Sequence, residues 1–484
     1  MPLPTIPSGN VASALPSGYD VDNSCRFDGS SAVMEKTFGS AGNRKTFTMS
    51  CWMKRSSLSS HQRVWGWKNN GGGYGLIWEG SDRYDALRAY VVAGGSDAGF
   101  LTNRLFRDTA AWLNIVLKVD TTQSTEADRM RLYINGVEET SFASRTYPNQ
   151  NEDTHINLDN KCRIGCNPVA DNSYFGGYLA EVCFIDGSAL APTEFGEFDE
   201  DSPTIWKPKD VSGLTFGSNG FYLDFADSGD LGDDESGNGN DFTEANLSTH
   251  DQTSDTPTNN FATFNSLIRV HSSMSLAEGN CKATTGNAYM DNGSNSFFST
   301  IGMTAGKWYW EVKVITAPST SGLVGIAFDL ENFHQRGTSA NAYNLSYTTK
   351  GFSYNGAGSI GNDGDGWTST GYDSYTANDI LSFALDLDNN KFYVGKNGTW
   401  QNSGDPTSGS TGTGAKAITA GETYFAGVSD NAGSAVYVYE ANFGNPPYSN
   451  SSSVADANGY GAFEYAVPSG YLALCTKNLG SDGG

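Results

Sequence analysis

The chain has 484 residues, which is enough for two or three domains of ordinary size. Hydrophobic residues make up 38% and aromatic residues 12%, too much for a disordered chain, and the 58 glycines point to many turns. The formal net charge of −24 repels phosphate backbones and argues against a protein that binds nucleic acid.

The first 19 residues, 1–19, contain four prolines and predict an extended arm that adds nothing to a core. This arm is either a loose tail or a segment that docks onto another subunit. It has neither a basic stretch nor an apolar run, so we expect no signal peptide. No apolar stretch reaches the roughly 20 residues of a membrane helix, so we expect a soluble protein without membrane insertion.

Residues 20–226 form a first β-rich region. In TFTMSCWMK (46–54) and AWLNIVLKVD (111–120), every second residue is apolar, which predicts strands with one face on a core. LYINGV (132–137) places Asn-Gly between β-forming residues, the strongest short-range signal of a hairpin. GSALAPTEFGEF offers one of the few short helical segments, with Pro192 in its first turn.

Residues 227–265 are acidic and rich in turn-forming residues, with little apolar periodicity. We expect the domain boundary here. The segment is either a disordered linker or an ordered crossing that binds cations.

A second β-rich region covers residues 266–446. KWYWEVKV (307–314) alternates, with Trp308 and Trp310 facing a core and the intervening residues facing out. Further on, Asn397-Gly398 predicts a two-residue turn that would place Trp400 opposite Gly395. Residues 447–484 are expected to be a C-terminal extension. The sequence therefore predicts an all-β fold of two tandem antiparallel β-sandwiches.

Two ordered sets of segments resemble known families. The first set is similar to the laminin G-like, concanavalin A-like lectin/glucanase jelly roll, over about residues 21–200. It consists of CRFDGSSAVME, KTFTMSCWMKR, AWLNIVLKVD, RLYINGVEE and GGYLAEVCFIDGSAL. The second set is similar to a SPRY domain, over about residues 266–446. It consists of GKWYWEVKV, GLVGIAF, YTANDILSFALDLDNNKFYVGKNGTW and YFAGVSDNAGSAVYVYEANFG.

The pairing of these modules resembles virion proteins of tailed bacteriophages, many of them marine. Three further segments add to this resemblance, and they are GLTFGSNGFYLDFADSGDLGDDESGNGNDFTEANL, DTPTNNFATFN and VPSGYLALCTKNL. It implies a fibre, spike or capsid decoration that is made in the host cytoplasm and exposed outside the cell. We expect contacts with other virion proteins through the arm, a homo-oligomer on the particle, and adhesion to a host-surface glycan or protein.

Aromatic side chains among Gly, Asn and Asp are the candidates for contact with such a ligand, because mixed loops of this kind suit adaptable recognition. We expect Trp65 and Trp67 to fill the core instead. The alternative for the loop of residues 342–375 is that it packs on its own sandwich. The candidate ligand-binding residues are Tyr74, Tyr343, Tyr347, Tyr354, Trp367 and Tyr372.

Calcium is the one cofactor that the sequence offers, because calcium prefers oxygen ligands. The oxygen-rich stretches DLGDDESGNGND and NDGDG supply the candidates Asp233, Asp234, Asp363 and Asp365. Neither stretch matches an EF-hand, and a solvated loop is the alternative. The seven cysteines lack the spacing of a zinc site, and we expect most of them to be buried, reduced thiols.

Glycoside hydrolysis needs two carboxylates across the sugar, about 5–9 Å apart. Glu181 and Asp186 are expected on opposite faces of a strand, Glu311 stands alone, and Asp386 with Asp388 runs into a turn. We therefore expect a binding protein and not an enzyme. A polysaccharide depolymerase and an architectural cement protein without ligand are the alternatives.

Overall fold

The computed structural model describes residues 18–69, 72–81, 83–92, 96–268, 274–286, 296–316, 318, 321–330, 345, 349–362, 366–430 and 435–482. The chain divides into two compact units, Met1–Asn260 and Phe261–Gly484. Each unit is built from antiparallel sheets, so the predicted all-β fold of two tandem sandwiches is confirmed.

The strands of the first unit are short and follow one another closely. They are β1 (Ser24–Asp28), β2 (Val33–Thr37), β3 (Thr46–Arg55), β4 (Gln62–Asn69), β5 (Gly72–Trp78), β6 (Ala86–Tyr90), β7 (Gly99–Leu105), β8 (Trp112–Asp120), β9 (Met130–Ile134), β10 (Val137–Glu138), β11 (Phe142–Thr146), β12 (Lys161–Ile164), β13 (Gly176–Asp186), β14 (Gly196–Phe198), β15 (Trp206–Pro208), β16 (Phe221–Leu223), β17 (Thr243–Ala245) and β18 (Gln252–Thr253).

Two large sheets enclose the first core. Sheet 1 has the order β10-β9-β8-β3-β13-β1-β18, with β16 also paired to β13, and sheet 2 has the order β11-β7-β6-β5-β4-β12-β2-β17. The predicted inward residues of β3, from Phe47 to Met53, are buried in this core, and Trp65 and Trp67 join them from sheet 2 as expected. The period-two pattern therefore identified the inner faces correctly.

The outer face of sheet 1 is also covered, which the sequence did not predict. Trp52 and Cys183 lie on this face and are buried beneath Phe195, Val211 and Trp206 of the chain that follows β13. The partly apolar outer residues of these strands therefore contact a third layer of structure.

Residues 227–260 do not form a linker. They belong to the first unit, where β17 pairs with β2, β18 pairs with β1, and Phe242 lies in the core. The boundary falls between Asn260 and Phe261 instead of across residues 227–265. Acidic turn-rich composition misled the prediction because scattered apolar residues are enough to anchor irregular chain.

The second unit has the strands β19 (Ser275–Ala277), β20 (Lys282–Thr284), β21 (Ser296–Phe298), β22 (Lys307–Val314), β23 (Gly322–Ala327), β24 (Gly351–Asn355), β25 (Ser359–Asn362), β26 (Gly366–Thr368), β27 (Ile380–Asp386), β28 (Lys391–Lys396), β29 (Thr399–Trp400), β30 (Lys416–Ala417), β31 (Phe425–Asp430), β32 (Val438–Asn442) and β33 (Leu472–Ala473). One α-helix, α1 (Thr476–Asp482), is found in the described residues.

Sheets 3 and 4 enclose the second core. Sheet 3 has the order β19-β20-β32-β22-β27-β28-β29, with β30 and β33 at its side, and sheet 4 has the order β21-β31-β23-β24-β25-β26. Trp308 and Trp310 point into this core, as predicted. Tyr309 was expected to face out, but it is buried against Phe463 and Tyr471 on the opposite face. Residues 447–475 are therefore a covering layer of the second unit and not a separate extension.

Both Asn-Gly hairpins form as predicted. Asn135-Gly136 and Asn397-Gly398 have positive φ at both positions, 49° and 74° in the first and 48° and 79° in the second. Trp400 pairs with Gly395, and a Cβ at Gly395 would lie 3.3 Å from the indole ring. The indole thus covers a strand position that has no side chain of its own.

Two further expectations are met in the described chain, and they concern Pro192 and the cysteines. Pro192 begins a short 3₁₀-helix, Pro192–Glu194. The other 3₁₀-helices are Glu126–Asp128, Thr249–Asp251, Gln401–Ser403 and Pro406–Thr411. All seven cysteines are buried free thiols. Among the residues that the structure describes, no helix is long and apolar enough to cross a membrane.

Candidate functional site

Strands β4, β5 and β6 are neighbours in sheet 2, and one irregularity decides which of their side chains face out. Arg63 pairs with Ile77, but the next pair is Trp65 with Leu76, so β4 holds one extra residue, Val64. Val64 and Trp65 can then both enter the core while Arg63 stays on the outer face. The bulge thus combines a fully packed core with a polar outer surface.

Five side chains form the outer-face cluster, which consists of His61, Arg63, Glu79, Arg88 and Tyr90. Arg88 donates a short hydrogen bond from Nε to Glu79, and His61 Nδ1 lies 3.9 Å from the other Glu79 oxygen. Arg63 donates to the Gly73 carbonyl at 2.6 Å. Arg88 and His61 are 34% and 38% exposed, so the cluster can meet a ligand from solvent.

A row without side chains runs beside the cluster. Across sheet 2, Arg163, Gly66, Gly75 and Tyr90 are in register. A Cβ at Gly75 would lie 2.1 Å from the Trp65 carbonyl oxygen, and its φ of +147° favours glycine. The two glycines therefore place buried backbone without side chains between Arg163 and Tyr90.

Tyr90 connects the cluster to the rim of the sandwich. Its hydroxyl donates to Asp97 at 2.5 Å, and its ring lies 5.1 Å from that of Tyr74. Tyr74 was expected to be exposed in a glycine-rich turn, but it lies in β5, is 8% exposed and packs edge-on against His155. That prediction was wrong because the glycines around Tyr74 are strand residues that pair with β4.

Burial shifts the pKa values of two residues in the cluster. Burial and the positive charge of Arg63 lower the pKa of His61, which is therefore neutral at pH 7. Burial and the hydrogen bond to Asp97 raise the pKa of Tyr90 to about 12, so its hydroxyl keeps its proton. The cluster thus brings together two guanidinium groups, one carboxyl group, a neutral imidazole and a protonated phenol.

The loop residues that were expected to bind ligand in the second unit differ in burial, and some lie outside the described residues. Tyr354 is buried in β24 and donates a short hydrogen bond to the Asp373 carbonyl, so it is not an exposed contact residue. Tyr372 is half-buried, with its ring 6.2 Å from that of Tyr354. Tyr343 and Tyr347 lie outside the described residues, and Trp367 lies in β26 without a described side chain.

Asp234, one of the calcium candidates, organises a turn. Its two oxygens accept from the backbone amides of Tyr222 at 2.9 Å and Asn240 at 2.8 Å. Burial and nearby carboxylates raise the pKa of Asp233. Asp363 and Asp365 lie outside the described residues. Over the described ranges, no group of three or more His, Cys, Asp or Glu could hold a metal ion.

The carboxylates weighed for hydrolysis all serve the fold. Glu311 is buried and accepts from the backbone amides of Glu464 and Tyr465, both at 2.9 Å. Asp186 accepts from Asn43 and Asn157. Asp386 forms an ion pair with Lys307 and accepts a hydrogen bond from the Asn389 amide. Asp388 accepts from the Gly306 amide. Glu181 accepts from two tyrosine hydroxyls.

Sequence reasoning missed all five residues of the outer-face cluster, although part of the signal was present. In RVWGWK, Lys68 follows the core tryptophans on the opposite face, whereas Arg63 has their parity and faces out only because of the bulge at Val64. In ALRAY, Arg88 and Tyr90 alternate with Leu87 and Ala89. Polar residues opposite a core face are ordinary, so the pattern alone does not mark a site. The register of β4, β5 and β6 is what brings them together.

The first unit is similar in sequence to a known family. Residues 27–194 match the model of the concanavalin A-like lectin/glucanases superfamily. No curated protein sequence matches the chain at a significant level. Among solved structures, the SPRY domain of human HERC1 is 15% identical, with coverage of 37% of this chain and 96% of that chain and a TM-score of 0.25.

Two further solved structures resemble parts of the chain. One is a protein from Bacteroides ovatus to which carbohydrate binding has been ascribed, with 13% identity, coverage of 48% of this chain and 60% of that chain, and a TM-score of 0.32. The other is the SAP-like pentraxin from Limulus polyphemus, with 14% identity, coverage of 36% and 80%, and a TM-score of 0.27. The family match over residues 27–194 agrees with the sandwich that those residues form.

Proposed function

We propose that the protein binds carbohydrate through the outer-face cluster of its first unit and that it is a display component of a tailed-bacteriophage virion. The observation that carries the binding proposal is the Arg88–Glu79 pair beside Tyr90 on one sheet face, in which Arg88 is 34% exposed and Glu79 lies buried beneath it at 8%. It lies within the residues that match a family named for lectins and glucanases.

The chemistry of the cluster suits a sugar. A guanidinium group only donates hydrogen bonds and a carboxylate only accepts them, so Arg88 and Glu79 together satisfy both functions of a hydroxyl. The aromatic face of Tyr90 can cover the apolar face of a pyranose ring.

A virion role is supported by the ordered resemblance of segments in both units to bacteriophage virion proteins. On this proposal, the protein is made in the host cytoplasm and then exposed on the particle. Residues 1–19 contact other virion proteins, the protein forms a homo-oligomer, and the outer-face cluster meets a host-surface glycan.

The binding proposal is tested on a glycan array, followed by titration of the strongest ligand. We expect Arg88→Ala and Tyr90→Ala each to weaken binding about tenfold or more, equivalent to roughly 1.4 kcal/mol per factor of ten. Arg131→Ala and Tyr133→Ala are matched controls, because Arg131 and Tyr133 lie two apart on β9 beside Glu138 in sheet 1. Equal loss in both pairs would contradict the proposed site.

Hydrolysis and a purely architectural role are distinguished by two further results. We propose binding without cleavage, so incubation with host polysaccharide should release no new reducing ends. Sustained release would identify a depolymerase instead. Absence of binding on arrays and on host cells would favour a cement protein without ligand.

The virion role is tested by cryo-electron microscopy of intact particles that carry this protein. The proposal expects density for both sandwiches on the particle surface, with residues 1–19 against a neighbouring subunit. Density for neither sandwich on the particle surface would contradict it.

A further inference from the structure

A lysine is fully enclosed on the outer face of sheet 1. Lys54 lies near the end of β3, directly between Trp112 of β8 and Tyr178 of β13. Its ammonium nitrogen is 4.8 Å from the centre of the Tyr178 ring and 6.0 Å from that of Trp112. The Lys54 side chain is 1% exposed, which is rare because a buried ammonium group loses its hydration.

A tight turn brings two further groups to this lysine. Thr256 and Asn259 exchange backbone hydrogen bonds, both at 3.1 Å, so the residues that flank the turn lie side by side. These are Asp255 and Asn260, and both contact Lys54 Nζ. The Asp255 carboxylate accepts a short hydrogen bond, and Asn260 Oδ1 accepts another at 2.8 Å.

Each partner is held in a fixed orientation. Trp112 Nε1 donates to the second Asp255 oxygen at 3.1 Å, and Asn260 Nδ2 donates to the Ala110 carbonyl at 2.6 Å. The Asn260 amide therefore turns its carbonyl towards the lysine and its nitrogen away from it. A nucleophile, an amide and a carboxyl group are thus positioned together in a site closed to water.

We propose that Lys54 and Asn260 form an intramolecular isopeptide bond, with Asp255 as the proton carrier. Lys54 passes a proton to the Asp255 carboxylate, and its free amine attacks Cγ of Asn260. The Nζ–Cγ bond forms and the Cγ–Nδ2 bond breaks. Protonated Asp255 gives its proton to the departing nitrogen, which leaves as ammonia, and Nζ passes its second proton back to the Asp255 carboxylate. The amine, carboxylate and amide contain every atom of the product amide and the ammonia, so no further reactant is required.

The enclosed setting favours this reaction. Water is excluded from the site, so the amine, the carboxyl and the amide stay in contact without competition from solvent. The product joins β3 to the last residue of the first unit across 206 residues of chain. A covalent link there would hold residues 255–260 on the outer face of sheet 1.

Mass spectrometry of the purified full chain tests the proposal. The intact denatured protein should weigh about 17 Da less than its sequence, which corresponds to one ammonia. Proteolysis should yield a branched peptide that joins Lys54 to Asn260. Lys54→Arg, Asp255→Asn and Asn260→Ala should restore the full mass, whereas Lys161→Arg, a surface control, should keep the loss.

The wild-type peptide map decides the matter even where a variant fails to fold. A linear Lys54 peptide in the wild-type protein would overturn the proposal. A loss of about 18 Da with a branch from Lys54 to Asp255 would overturn it as well, because the bond would then join a different pair. Persistence of the ammonia loss in Asn260→Ala would place that loss at another residue and would also overturn it.

Discussion

Glu181 combines an unusual backbone with an unusual carboxyl group. Its φ of +50° lies in the region that L-residues avoid, at the point where β13 shifts register against β3. The bulge turns its side chain into a buried site, where Tyr222 donates to the carboxyl at 2.9 Å and Tyr19 at 3.3 Å. Burial raises the pKa of Glu181 to about 8 despite these donors.

This residue predicts a pH dependence of stability. The folded state keeps a proton on Glu181 that the unfolded state releases above its ordinary pKa of about 4.3, so the free energy of unfolding falls between pH 5 and pH 8. Glu181→Gln removes this loss and should stabilise the first unit by about 3 kcal/mol at pH 7 and little at pH 4. Scanning calorimetry across this range measures the effect.

Glu138→Gln is the matched control for that prediction, since Glu138 is a partly exposed carboxylate in the same unit. Its stability profile is measured over the same pH range as that of Glu181→Gln. Parallel stability profiles for Glu181→Gln and the wild-type protein would show that Glu181 is ionised in the folded state at neutral pH.

At the scale of elements, the pairing of β4 with β5 depends on glycine. Gly75→Ala should destabilise the first unit by about 2–4 kcal/mol, because the new Cβ meets the Trp65 carbonyl and the residue has positive φ. Gly213→Ala is the control, since no atom lies within 4 Å of a Cβ there. Chemical denaturation measures the stability of both variants. Equal stability of Gly75→Ala and Gly213→Ala would mean that β4 and β5 pair less closely than the structure shows.

The covering layer of the second unit depends on one buried carboxylate. Glu311 accepts from the amides of Glu464 and Tyr465 and from the hydroxyl of Tyr309. Glu311→Ala should cost about 2–4 kcal/mol, because it leaves these donors without an acceptor in a buried site. Residues 447–475 should then be cleaved faster in limited proteolysis.

The half-exposed Glu422 provides the comparison for that experiment. Glu422→Ala should leave the cleavage rate unchanged, and Glu311→Gln should be intermediate because its amide keeps one acceptor oxygen. Wild-type resistance in Glu311→Ala would mean that the layer is held by its apolar contacts alone.

At the scale of the whole molecule, the sequence specified inner faces and turns better than outer faces. Alternation from Phe47 to Met53 identified a core face, because a strand encodes it locally. Trp52 and Tyr309 were harder, since the chain that buries them lies more than 140 residues away. The outer-face cluster likewise depends on the register of three strands, which no single segment encodes.

The central claim is that a sugar binds at the outer-face cluster of the first unit. A crystal structure of the protein with its strongest array ligand tests it most directly. We predict a pyranose ring against Tyr90, with hydroxyls within hydrogen-bond distance of Arg88 and Glu79. Sugar density on any other surface, with the cluster empty, would contradict the claim.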